Sequence, residues 1–230
     1  MRKILCFGDS NTWGYNGRSG ERYPENIRWT GLLQKRMSGM GVEIIEQGLC
    51  GRTTVFQNPA WPGRRGMDVF PDVLKEASPV DILILMLGTN DCKTEFHADP
   101  EMVGEGMEEI VRTAREIAPE TEILLISPIF LDDEVWSKGL DPEFGPESVK
   151  TSQGLKNVYQ KIAEKYHTDF MAASDYAYPG PADREHLDVA GHRKLSEAVY
   201  TKVMRMLKSE ENRKQKKQEV GETGWEKTEA

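Results

Sequence analysis

Only three cysteines stand in the chain, Cys6, Cys50 and Cys92. They are too few and too odd in number for a disulfide framework, and none forms the C-x-x-C pair of a zinc site. Basic residues are also short. The formal net charge is −8, so no cationic excess exists to neutralise phosphates, and a nucleic-acid surface is excluded. No apolar run approaches the ~20 residues that span a bilayer. The apolar segment inside MRKILCFGDS is short and lacks a small-residue cleavage site after it, so a secretory signal is not expected. Internal repeats are missing, as are the G-x-x-x-x-G-K-[ST] and G-x-G-x-x-G loops of nucleotide binding. A reduced, cytoplasmic protein with no metal and no cofactor is the expectation.

Hydrophobic residues make up 38% and charged residues 30% of the 230 positions, enough apolar surface for one sizeable domain. Short apolar runs alternate with longer segments of helical period. The runs Lys3–Phe7, Val42–Glu46, Asp81–Leu87, Glu122–Ser127 and Thr168–Met171 read as strands. Residues 27–37, 67–77, 100–117 and 149–167 place apolar side chains three or four apart, as helices packed on one face do. Continuously apolar strands separated by helices predict a parallel sheet covered on both sides, a doubly wound α/β domain over residues 1–207. Ligands are then expected at the C-terminal ends of the strands. Residues 132–154, with Gly139, Pro142, Gly145 and Pro146, read as a loop or lid. The charged segment 208–230 reads as a frayed helix end passing into a disordered tail.

In a parallel sheet, whatever follows each strand lands on one edge. Gly8-Asp9-Ser10-Asn11 follows the first strand, QGLCGRTT (47–54) the second, and Gly88-Thr89-Asn90-Asp91 the third. Near the end stands ADREHLDVAGHRKL, with Asp183 and His186 three apart. Acyl transfer needs these parts. A hydroxyl is a weak nucleophile until an imidazole takes its proton, and a carboxylate fixes that imidazole's tautomer. Ser10 is the candidate nucleophile, His186 the base and Asp183 its orienting acid. The N–H groups of Ser10 and Gly51 and the amide of Asn90 are candidate oxyanion donors. Each has a plainer reading alone: a turn or helix cap at Gly8-Asp9-Ser10, a positive-φ glycine at 51, caps at Asn90 and Asp183. Their ordered occurrence at consecutive strand tips favours chemistry.

GDSN, the Gly51 segment, GTND and DREH resemble the four signature blocks of the SGNH (GDSL-type) hydrolases. ILCFGDSNTWGY, IRWTGLL, IEQGLCGRTT and ILMLGTND are similar to a bacterial arylesterase and acyltransferase subgroup. The likeness is dense to about residue 95 and returns from 183 to 207. It implies a three-layer α/β/α sandwich with a five-stranded parallel, flavodoxin-like sheet, and metal-free esterase activity. By position it makes Ser10, Asp183 and His186 the triad and Ser10, Gly51 and Asn90 the oxyanion hole. It also implies a homo-oligomer. The chain departs from the subgroup between Asn58 and Gly66 and between Leu131 and Thr151, where substrate access is set.

Around this site, Trp13 either walls the acyl pocket, where its ring would favour acetyl, or packs into the core, and Asp9 is a further candidate substrate neighbour. Trp61 and Trp136, in the two departing loops, are candidate platforms for sugars or aryl leaving groups. Arg28 and Arg52 read as solvated or structural salt bridges, His97 and His167 as structural, and His192 as a surface residue of the last helix. Asp188 reads as the N-cap of that helix, Asp91 as a tie for its own loop, and Cys50 and Cys92 as packing residues. The leading function is a serine esterase for short-chain esters, acting on a small-molecule ester or acetylated sugar; the alternative is a carbohydrate O-acetylesterase. A nucleotide-binding module, or a phosphatase built on Asp9, lacks the supporting loop or grouped acids.

Overall fold

The computed structural model describes residues 1–59, 61–137 and 139–223. Five strands, β1 (Arg2–Gly8), β2 (Val42–Gly48), β3 (Ile82–Met86), β4 (Glu122–Ser127) and β5 (Asp169–Ala172), pair in parallel in the order β2-β1-β3-β4-β5. Between and after them run α1 (Ser10–Trp13), α2 (Trp29–Arg36), α3 (Gly66–Ala77), α4 (Pro100–Ile117), α5 (Pro146–Tyr166) and α6 (Val189–Thr223). The doubly wound expectation holds. Of the segment expected to form a tail, the part to Thr223 continues α6, and 224–230 lie outside the described residues.

The apolar runs lack a polar face because both faces of the sheet are covered. In β1, Ile4 and Cys6 join Trp29, Leu33, Leu195 and Val199 under α2 and α6. Leu5 and Phe7 face the other way, onto Phe70, Met107 and Tyr159 of α3, α4 and α5. This is the period-2 alternation of a strand read out as two cores. Burying each large apolar side chain contributes about 1.5–3 kcal/mol, so the two layers fix the strand register firmly. β1 lies between β2 and β3, where the chain's winding reverses, and a ligand crevice is expected beyond the C-terminal ends of those strands.

Glu46 in β2 pins the loop that leaves α1. Arg28 grips it through Nε and Nη2 at 2.8 and 2.7 Å, and Arg22 adds a third contact at 3.0 Å. Burial pushes the Glu46 carboxyl up, but the Arg28 and Thr30 hydrogen bonds outweigh it and hold it below its usual range. Arg28 is therefore structural, as the sequence suggested.

The irregular stretch is shorter than expected. It ends at Gly145, because Pro146 sits at the first turn of α5, where its missing N–H costs nothing, and the Ser148 hydroxyl accepts from Gly145 N at 3.0 Å. Residues 146–154 are helix rather than lid. Among the described residues no helix is long and apolar enough to cross a membrane, and no group of three or more His, Cys, Asp or Glu could hold a metal ion.

Candidate active site

Ser10 opens a single helical turn straight after β1. Asp9 caps it, its carboxylate accepting from Asn11 N at 3.0 Å. Across the crevice, the turn before α6 presents His186. Its Nε2 lies 2.8 Å from Ser10 Oγ, and its Nδ1 lies 2.8 Å from Asp183 Oδ2. The second oxygen of Asp183 accepts the backbone N–H groups of Glu185 and His186 at 3.1 and 2.9 Å. Two distant parts of the sequence, Ser10 and the Asp183–His186 turn, thus form one hydrogen-bonded line.

Local features hold that line. Asn11 Oδ1 accepts from Leu187 N at 2.9 Å, drawing the histidine turn onto α1. Arg184 within the turn has φ +62°, rare for a non-glycine, and ion pairs to Asp132 and Glu134 at 2.7 and 2.8 Å fasten it. Gly17 lies flat against Asp183; a Cβ there would fall 2.0 Å from Oδ2. Tyr15 lays its ring on His186 with centroids 4.4 Å apart.

The electrostatics suit a base and its partner. Burial alone would lower the imidazole, but Glu185 and Asp183 outweigh it and hold His186 up at about 8. Burial pushes Asp183 up, and its hydrogen bond to His186 more than offsets this, leaving it below the usual carboxylate range.

The other two tips meet here too. Arg52 Nη1 donates to the Gly8 carbonyl at 2.8 Å and also to Gln47 O, and its guanidinium covers Phe7. It is structural, but through backbone carbonyls and a ring rather than the salt bridge expected, because it is buried under the strand tips with no carboxylate of the described residues in reach of an ion pair. Asn90 Nδ2 donates to Arg52 O at 3.1 Å, which brings the Asn90 amide beside Gly51. Its second amide hydrogen and the N–H groups of Ser10 and Gly51 have no acceptor among the described residues. Gly51 has φ +76°, a conformation that turns the chain at the tip and penalises any side chain. Asp91 ties down the neighbouring Thr54 segment, through its N–H at 2.8 Å and its hydroxyl, rather than its own loop.

The remaining expectations divide. Asp9 is only 1% exposed, a cap beneath the site, and burial pushes its carboxyl up to about 6. Trp13 packs near Tyr15, centroids 6.4 Å apart, under the Arg22 guanidinium. Trp61 and Trp136 are 49% and 44% exposed on their loops, and neither has a ring contact with His186 or Tyr15. Cys50 stays a thiol, burial pushing it up to about 11, and Cys92 is buried. His97 and His167 end helical segments in the left-handed conformation, a structural role. Asp188 caps α6, accepting from Gly191 N at 2.8 Å.

His192 is not on the surface. It is wholly buried, its Nδ1 takes Trp29 N at 3.3 Å, and Tyr23 meets its ring edge-on. It shares a helical stripe with Leu195, Ser196 and Val199, which are buried as well, and that stripe was the available signal. Tyr15, Gly17 and Glu185 went unread because no residue pattern foretells a ring contact, a close approach or an acid folded back on its neighbour.

The chain matches the GDSL-like lipase/acylhydrolase family over residues 6–194. Est24, a carbohydrate acetylesterase from Sinorhizobium meliloti, is 32% identical with a TM-score of 0.82, over 90% of this chain and 100% of that one. The native aryl esterase of M. smegmatis is 29% identical with a TM-score of 0.82, over 89% and 99%. No curated protein matches the sequence. With this fold and this match across most of its length, the chain belongs to the GDSL-like lipase/acylhydrolase family and is a serine esterase of the SGNH type, a carboxylic ester hydrolase.

Proposed function

We propose that Ser10 attacks short-chain esters, acetyl esters above all, and that His186 takes its proton while Asp183 holds the imidazole. The observation that carries this reading is the line Ser10 Oγ, His186 Nε2, His186 Nδ1, Asp183 Oδ2, with 2.8 Å at both links. The hydroxyl proton passes to Nε2 as the Oγ–acyl bond forms, and Nε2 returns it to the departing alcohol oxygen. Water, or an alcohol, then frees the acyl group by the reverse path. The N–H groups of Ser10 and Gly51 and the Asn90 amide take the oxyanion, each donor contributing about 2.7–4 kcal/mol to barrier lowering. Trp13, Trp61 and Trp136 stand as candidate substrate neighbours, Asp9 being the buried cap beneath the site, and residues 1–207 as the catalytic domain followed by the charged segment 208–230. We also propose that the protein is cytoplasmic and a homo-oligomer, and analytical ultracentrifugation tests the second of these.

Hydrolysis of p-nitrophenyl esters of increasing acyl length, with EDTA present, tests the acyl preference. Rates that fall as the chain lengthens agree with it; a preference for long chains sinks it.

A second reading, a carbohydrate O-acetylesterase, is favoured by the 32% identity to the carbohydrate acetylesterase Est24. Faster release of acetate from acetylated xylan or mannan oligomers than from aryl acetates would support it over the first.

A further inference from the structure

Glu185 precedes His186 and is 5% exposed. Its Oε1 lies 3.5 Å from His186 Nε2, the same nitrogen that faces Ser10 Oγ. Asp183 is saturated by the other side of the histidine turn, through Nδ1 and two backbone N–H groups. The Glu185 carboxylate takes no hydrogen bond from any described residue. Around it stand His186 and Asp183 of its own turn, with Asp141 and Lys93 from other segments. Lys93 is committed to Glu143 at 2.7 Å. A buried carboxylate with no donor is costly, so a donor brought by the substrate finds unused acceptor capacity there.

The position says which part of the substrate that is. Nε2 must return its proton to the leaving alcohol, so the ester's alcohol oxygen comes within roughly 2.6–3.2 Å of it. Oε1 borders the same nitrogen, and therefore the alcohol side of the site rather than the acyl side. We propose that Glu185 is a specificity residue that accepts a hydrogen bond from a hydroxyl on the carbon adjacent to the one that bears the ester oxygen, so that the preferred substrates are acetyl esters of polyhydroxylated alcohols, sugars foremost. The inference rests on Ser10 as nucleophile and His186 as base. Glu185 moves no proton: the Oγ proton goes to Nε2 and then to the leaving oxygen as the ester C–O bond breaks. Because deacylation retraces the path, the same carboxylate receives a polyol acceptor. Burial pushes Glu185 up to about 7, so at pH 9 the carboxylate is anionic and can only accept.

The test compares kcat/KM on glycerol 1-monoacetate and on propyl acetate, the same carbon skeleton without the hydroxyls, by pH-stat at pH 9. Wild type, Glu185→Gln and Glu185→Ala are measured side by side. Wild type is expected to prefer the monoacetate by about tenfold or more, the worth of a hydrogen bond to a charged acceptor. Both variants are expected to collapse that ratio. A wild type without preference, or a ratio that survives in both variants, overturns the proposal. Ser10→Ala, run alongside, separates the two levels: its loss of all turnover leaves the nucleophile standing whatever Glu185 does, and retained turnover sinks both.

Discussion

Tyr15 and His186 stack in the crevice with centroids 4.4 Å apart and planes inclined by 45°. The backbone N–H of Tyr15 is itself held by the Ser10 carbonyl at 3.0 Å, so one short segment carries both the hydroxyl and the ring that steadies its base. A ring this close, inclined as it is, can limit rocking of the imidazole. Aromatic contacts of this kind contribute about 0.5–1.5 kcal/mol, so Tyr15→Ala is expected to lower kcat about two- to tenfold. Steady-state kinetics on an aryl acetate checks this, and an unchanged kcat would remove Tyr15 from the account.

The pH profile follows from the imidazole. A base works only unprotonated, and a raised pKa keeps the proton on to higher pH. The acid limb of kcat/KM is therefore expected near pH 8, where His186 titrates. Below that, kcat/KM should fall about tenfold per pH unit. Asp183→Asn removes a group that holds the imidazole up, so the limb should move to lower pH while kcat drops roughly 10⁴-fold. A limb that stays at pH 8 in this variant would mean that Asp183 does not act through His186.

Gly17 gives a purely steric test. A methyl group there would meet the Asp183 carboxylate at 2.0 Å and push it from the histidine. Small misplacements in a catalytic line can cost about 10²-fold, so Gly17→Ala is expected to lose kcat on that scale with KM little moved. Full activity in this variant would show that the line tolerates displacement.

Stability should carry the mark of His192. Burial pushes its imidazole down to about 4, against about 6.5 in an unfolded chain. Between those values the unfolded chain binds the extra proton and the folded one does not. Stability therefore rises with pH across that window and is lost as pH falls from 6.5 to 4, by up to about 3 kcal/mol. His192→Asn, whose side-chain oxygen can still accept from Trp29 N, is expected to flatten the dependence in urea melts at pH 4.5 and 6.5. An equal slope in both proteins would place the acid sensitivity elsewhere.

The strands were legible because five apolar runs without a polar alternation mean a sheet buried on both faces, and the three tips followed from parallel order. That Ser10, Asp183 and His186 would meet was legible in their places, one at the first strand tip and two in the turn before the last helix. What stayed hidden is what only packing decides. His192 looked like a helix surface until α2 closed over it. Nothing in the sequence foretells the burial of Glu185, which follows the left-handed turn at Arg184. Pro146 stands among loop-forming residues in the sequence, yet a proline is equally at home at a first helical turn, where it lies.

The most direct measurement is to react the protein with diisopropyl fluorophosphate, map the adduct by mass spectrometry, and follow ester hydrolysis in parallel. One adduct per chain, on the peptide that carries Ser10, with adduct and turnover both missing in Ser10→Ala, is the expected result. An adduct on another serine, or ester turnover that persists in Ser10→Ala, would contradict Ser10 as the nucleophile.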